Sequence, residues 1–197
     1  MTITGFVLAG GQSTRMGCDK AFLRIQGQRL IEWVIQRLQP HVDRVVVIGH
    51  TKNSPRLREL HVADVLTDVR PSYGPLMGLY TGLMMSETPL NLFVPCDMPW
   101  IDGRLIERLI QACQADIQVV ASEHPREGIQ PFPLVCHLNV CRTIGALLDQ
   151  GKRSLHDLLR HSSTTLVQIN EPELWRAFTN VNTADDYAKL RVKRVEP

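Results

Sequence analysis

Ile3-Thr4-Gly5-Phe6-Val7-Leu8-Ala9 runs directly into Gly10-Gly11-Gln12-Ser13-Thr14-Arg15-Met16-Gly17-Cys18-Asp19-Lys20. The first seven residues are mostly apolar and rich in strand formers, so they read as a strand buried on both faces. The glycines that follow end it in a tight loop. An open parallel sheet places its ligands here, beyond the carboxyl ends of its strands. Glycines let the main chain approach an anion, and consecutive N–H groups cradle phosphate oxygens. Arg15 and Lys20 add two cations to the same loop. The loop is not the dinucleotide fingerprint, because GxGxxG is absent, and not a Walker A loop, because no GK[ST] follows its last glycine. A surface loop with solvated charges is the competing reading. Ser13, Thr14, the three glycines and both cations, set directly after a buried strand, weigh against it.

Outward from this segment, strands and helices alternate. Leu30, Ile31, Val34, Ile35 and Leu38 recur at helical spacing before Pro40. Arg44 to Ile48 reads as a strand, Val62 to Thr67 as a weaker one. Leu76 to Met85 is predicted helical, Asn91 to Pro95 a strand, Arg104 to Ala112 a helix and Ile117 to Ala121 a strand. This order predicts right-handed crossovers and a mostly parallel central sheet with helices on both faces, an α/β Rossmann-like fold. His124 to Pro133 holds three prolines and a glycine and is expected to be a loop that ends the regular winding. Phe132 to His137 and Thr164 to Ile169 are candidate strands. Val140 to Leu148, Leu155 to Leu159 and Thr183 to Val192 are candidate helices, the last with cap residues at Asn182 to Asp186.

The chain has 197 residues, which at roughly 150 residues per domain predicts a single domain over 1–197. Lys plus Arg is 22 against 20 for Asp plus Glu, a net charge of +2. That balance argues against a nucleic-acid or anionic-membrane binder. The longest β-branched run, Val45 to Ile48, is strand-sized, so no spanning helix is expected. An odd cysteine count of five, with no CxxC spacing and no secretory signal, predicts reduced thiols and a cytoplasmic setting. The seven histidines show no metal spacing, and Cys136-His137 with Cys141 is too sparse for zinc. No GxSxG elbow occurs.

Two carboxylates stand out. Asp97, in Val94-Pro95-Cys96-Asp97-Met98-Pro99, ends the fourth strand between two prolines. It is placed to hold a hard cation such as Mg²⁺, which takes one or two carboxylates plus substrate phosphates. The alternative is a turn cap. Asp68, before Pro71 and Gly74-Pro75, contacts a base or sugar, or starts a turn.

Leu8 to Lys20 resembles the LAGG-x(n)-RMG-x-x-K signature of nucleotidyltransferases with a Rossmann-like sheet. Gly74-Pro75-Leu76-Met77-Gly78-Leu79 and Pro95 to Pro99 resemble the next two blocks of that superfamily. Gln130-Pro131-Phe132-Pro133-Leu134 and Phe178-Thr179-Asn180-Val181-Asn182-Thr183 are most similar to the molybdenum cofactor guanylyltransferase family. The resemblance covers nearly the whole chain.

It implies GTP and molybdenum-molybdopterin as substrates, with pyrophosphate released. Leu8, Ala9, Gly10 and Gly11 are then backbone contacts to the nucleotide. Lys20 and Arg15 neutralise phosphates, Asp68 lies near the nucleoside, and Asp97 binds Mg²⁺. Partners extend to other cofactor-biosynthesis proteins or the apoenzyme that receives the product. Where the family often has an asparagine at the end of the second strand, this chain has Ile48-Gly49-His50, so that contact is not carried over. A transferase with another base or acceptor, such as a cytidylyltransferase of the same cofactor, remains an alternative. So does a non-catalytic nucleotide-binding or cofactor-handover protein.

Overall fold

The computed structural model describes residues 2–10, 19–60, 63–68, 70, 73–183 and 185–188. A seven-stranded sheet runs through it. Strand β1 is Ile3–Leu8. A short hairpin, β2 Arg24–Ile25 and β3 Gln28–Arg29, follows. Then come helix α1 Leu30–Leu38, β4 Arg44–Gly49, α2 Ser54–Arg58 and β5 Asp64–Thr67. Next are α3 Pro75–Met84, β6 Leu90–Pro95 and α4 Gly103–Ala112. The chain continues through β7 Val119–His124, β8 Gly128–His137, α5 Val140–Asp149, α6 Leu155–His161 and β9 Thr164–Gln168.

The sheet order is β5-β4-β1-β6-β8-β7-β9. All neighbouring pairs are parallel except the two made by β8. Strands β4 and β5 lie to one side of β1, whereas β6 lies on the other. The crossover from β5 through α3 therefore reverses direction, and a crevice opens at the carboxyl ends of β1 and β6.

Alternate residues of each central strand feed two cores, as expected for strands covered on both faces. Ile3, Val7, Leu92 and Val94 pack with Ile31, Val34 and Ile35 of α1 and Leu105, Ile106 and Leu109 of α4. Phe6, Val46, Ile48 and Phe93 pack with Leu76, Leu79 and Leu83 of α3 and with α5 and α6. Phe6 and Phe93 are register partners and their rings stack with centroids 4.8 Å apart. No helix among the described residues is long and apolar enough to cross a membrane.

Helix α3 comes so close to these rings that only glycine fits at residue 82. A Cβ there would lie 2.8 Å from Phe93 Cε1, 3.0 Å from Ile48 Cδ1 and 3.1 Å from Phe6 Cδ1. Leaving glycine in a helix gains at most about 1 kcal/mol of propensity. Overpacking a stacked core costs about 1–3 kcal/mol. Overpacking wins, and Gly82→Val is expected to lose about 2 kcal/mol, a fall of roughly 4–8 °C in thermal midpoint. A thermal melt checks it; an unchanged midpoint means that the helix shifts freely away from the sheet.

The proline-rich stretch departs from expectation. Only residues 125–127 of His124 to Pro133 form a turn: β8 begins at Gly128 and runs through Pro131 and Pro133. Strand β7 pairs with β8 at Ser122↔Gln130 and again at Val120↔Val135, with a register shift between. The prolines sit in that irregularity, where their missing N–H groups break no ladder bond. Gly128, at φ 73°, makes the turn from β7. The β2–β3 hairpin turns through Gln26 and Gly27, both at positive φ, as a two-residue turn of this type requires. Of the expected closing helix, Thr183 and residues 185–188 are described, and 185–188 are helical. Its start is a reciprocal cap. Asp186 Oδ2 accepts from Thr183 N at 2.8 Å, and Thr183 Oγ1 accepts from Asp186 N at 3.1 Å.

Candidate active site

Main-chain bonds continue the sheet beyond its strands. Ala9 N donates to Ile48 O at 2.8 Å, Asp68 N to Gly49 O at 2.7 Å and Cys96 N to Leu8 O at 3.0 Å. Residues 9, 68 and 96 are thereby held side by side at the carboxyl edge. Between them opens a cavity of about 420 Å³, a volume suited to a small-molecule site. Leu8, Ala9 and Gly10 form one wall, Gly74, Pro75 and Gly78 of the α3 start another, and Pro95, Cys96 and Asp97 a third. Asp19, Lys20, Ile48, Asp68 and Phe132 complete it.

Of the residues singled out from sequence, Leu8, Ala9, Gly10, Lys20, Asp68 and Asp97 all meet at this cavity. Gly11 and Arg15 lie outside the described residues. Among the described residues, a Cβ at Gly10 would meet nothing nearer than Asp68 Oδ2, at 3.9 Å. Packing among the described residues therefore does not demand glycine there, and its bare backbone lines the cavity wall. The amino end of α3 faces the cavity through Pro75, and a helix start favours anions. Pro75 fits at that position because its missing N–H would have no helical partner.

Lys20 sits in a short 3₁₀ turn, Lys20–Phe22. Its ammonium lies 3.4 Å from Asp97 Oδ2 and donates to Asn182 Oδ1 at 2.7 Å. Both members of the ion pair are largely buried, with side chains 17% and 19% exposed. Burial raises the Asp97 carboxyl above the usual carboxylate range, and the Lys20 ammonium pulls it part-way back. One ammonium thus only partly compensates a desolvated carboxylate. The turn after β6 is closed by Met98 N on Pro95 O at 3.3 Å. Asp97 directs its carboxylate to Lys20. Asp68 accepts from Thr81 Oγ1 at 2.7 Å, so α3 orients it.

Cys96 is buried in the cavity wall. Burial, then the Asp97 and Asp19 carboxylates, hold its thiol well above its ordinary value. It stays protonated and is no nucleophile. Asn182 and Phe132 lie in two blocks picked out by resemblance, without an assigned role. The fold brings Asn182 to Lys20 and Phe132 to the cavity wall. Asn53 carried no signal beyond being a polar residue near a proline.

Residues 5–166 match the family model described as the MobA-like NTP transferase domain. This chain belongs to that family. Relatives match the chain over nearly its whole length. The chain is 35% identical to a probable molybdenum cofactor guanylyltransferase of Bacillus cytotoxicus, over 96% of both chains. It is 33% identical to a molybdenum cofactor guanylyltransferase of Vibrio parahaemolyticus, over 93% of this chain and 92% of the other. The solved structure of molybdopterin-guanine dinucleotide biosynthesis protein A from Archaeoglobus fulgidus superposes with a TM-score of 0.82. It covers 95% of this chain and 96% of its own, at 21% identity, and supports the fold. The family's chemistry makes this chain a nucleotidyltransferase.

Proposed function

We infer that this transferase moves GMP from GTP to molybdenum-molybdopterin, forming the guanine dinucleotide cofactor and pyrophosphate. The names of its full-length relatives support these substrates. The observation that carries the reading is the Lys20–Asp97 pair on the wall of a cavity that Gly10 also lines. A cation and a carboxylate there suit a triphosphate and its divalent counter-ion.

The reaction is an in-line displacement. A terminal phosphate oxygen of the pterin bonds to the α-phosphorus of GTP. The bond from that phosphorus to the departing pyrophosphate oxygen breaks. No side chain becomes covalently attached, so the chain contributes position and countercharge. Backbone at Leu8, Ala9, Gly10 and Gly11 cradles the nucleotide. Lys20, joined by Arg15, neutralises the departing pyrophosphate, and Asp68 orients the nucleoside. No cluster of three or more His, Cys, Asp or Glu forms a metal cage among the described residues. A single buried carboxylate at a phosphate site fits Mg²⁺, which keeps waters and takes phosphate oxygens. Asp97 would hold it, and when bound it offsets charge on the phosphates. The product then passes to another cofactor-biosynthesis protein or to the receiving apoenzyme.

Pyrophosphate release with GTP and metal-loaded pterin tests the reaction, and its absence favours a handover protein. Base choice is tested by calorimetric titration with GTP, CTP and ATP in the presence of Mg²⁺. GTP is expected to bind at least about tenfold tighter, roughly 1.4 kcal/mol. Ile48, apolar and lining the cavity at the strand end, is the specific reason to include CTP. Equal or tighter CTP binding moves the reading to a cytidylyltransferase and leaves the fold untouched.

A further inference from the structure

We propose that Asn53 is a positioning residue that sets Lys20 for the triphosphate by tying together the chain on either side of the glycine-rich segment; the proposal rests on the nucleotidyl-transfer reading above. Asn53 is only 3% exposed. A buried amide needs partners for both donors and its oxygen. Here Nδ2 donates to Ala9 O at 2.8 Å and to Asp19 Oδ2 at 2.8 Å, while Oδ1 accepts from His50 N at 2.9 Å. Asp19 uses its other oxygen to accept from Ala21 N at 3.0 Å, which caps the turn that carries Lys20. One amide and one carboxylate, bonded to each other, therefore fix three backbone points, at residues 9, 21 and 50. Lys20 lies between Asp19 and Ala21, and its ammonium extends from there to Asp97.

The bland alternative is that Asn53 caps α2. It stands at that helix's first flanking position, but its side chain makes no capping bond. It points away, toward β1 and Asp19. Room for it comes from Gly49. A Cβ there would lie 2.6 Å from Asn53 Oδ1 and 2.5 Å from Leu57 Cδ1. The end of β4 is thus shaped around this amide. Aspartate cannot replace it, because it lacks both donors and would face the Asp19 carboxylate.

Two measurements test the proposal. The first needs no nucleotide. In Asn53→Ala, amide exchange at Phe22 and Leu23, whose N–H groups close the Lys20 turn, is expected to speed up about tenfold relative to β1. Unchanged exchange overturns the tie, whatever the protein binds. The second is a double-mutant cycle on GTP binding by calorimetry. Asn53→Ala is expected to weaken GTP about tenfold, the scale of one or two lost hydrogen bonds. In the Lys20→Ala background the same change is expected to cost less than about twofold, because the group being positioned is gone. Equal losses in both backgrounds mean a merely structural role and overturn the proposal. Should Asn53→Ala not fold, Asp19→Ala cuts the same tie at a more exposed side chain, and both measurements apply to it unchanged. Wild-type protein that binds no GTP sinks the guanylyl-transfer reading instead, and the exchange result still decides the tie.

Discussion

Asp97→Asn is expected to lower pyrophosphate release by about 10³-fold at fixed low Mg²⁺, on the scale of losing a preorganised charge contact to the transition state. The main chain at this position is secured independently, since Asp97 O accepts from Val181 N at 2.9 Å. The variant should therefore fold. Asparagine keeps the shape and an acceptor for Lys20 but removes the charge that attracts a cation. Lys20 retains Asn182 as a partner, so the ammonium is not stranded. Nucleotide should still bind, less tightly. The check is pyrophosphate release measured against Mg²⁺ concentration for both proteins. The variant's curve should be displaced to higher Mg²⁺ and reach a lower ceiling. Superimposable curves would remove the metal role and return Asp97 to a structural one.

Lys20→Ala is expected to reduce turnover by about 10²-fold, the magnitude of one lost electrostatic contact in a transition state. Read from sequence, Lys20 is a loop lysine whose removal leaves stability nearly unchanged. The ion pair with buried Asp97 changes that expectation. Without the ammonium, a carboxylate already raised by burial loses its countercharge. The expected cost is about 1–3 kcal/mol at neutral pH, roughly 2–12 °C in thermal midpoint. The sign follows from linkage. A carboxyl raised in the folded state binds protons more readily there than when unfolded, so lowering the pH restores part of the loss. Thermal melts at neutral and mildly acidic pH, beside turnover, separate the two effects. Normal turnover with lowered stability would make the pair structural and nothing more.

The alternation of strands and helices was legible because each element carries its own periodicity. Leu30, Ile31, Val34, Ile35 and Leu38 of α1 are all buried, as their spacing requires. Short elements escaped for the opposite reason. The five residues of α2 span little more than one turn, too few to show a period. The 3₁₀ segment Pro172–Phe178 has no helical repeat of 3.6 to detect.

What the sequence determined alone is local: a two-sided buried strand, the glycines that end it, the cations just beyond, and a carboxylate between prolines at another strand end. Their meeting follows once parallel strands place all their carboxyl ends on one edge. Contacts set by sheet order were beyond its reach. Lys20 and Asn182 are 162 residues apart, and nothing in either neighbourhood names the other. Pro131 and Pro133 argue locally against a strand, yet the register shift beside β7 makes their missing donors harmless. Asn53 carries no signal in its own neighbourhood, and only the ends of β1 and β4 bring Ala9, Asp19 and His50 within reach of its amide. Propensity and periodicity act over a few residues. Which polar group satisfies which buried partner is decided only when the chain has closed around both.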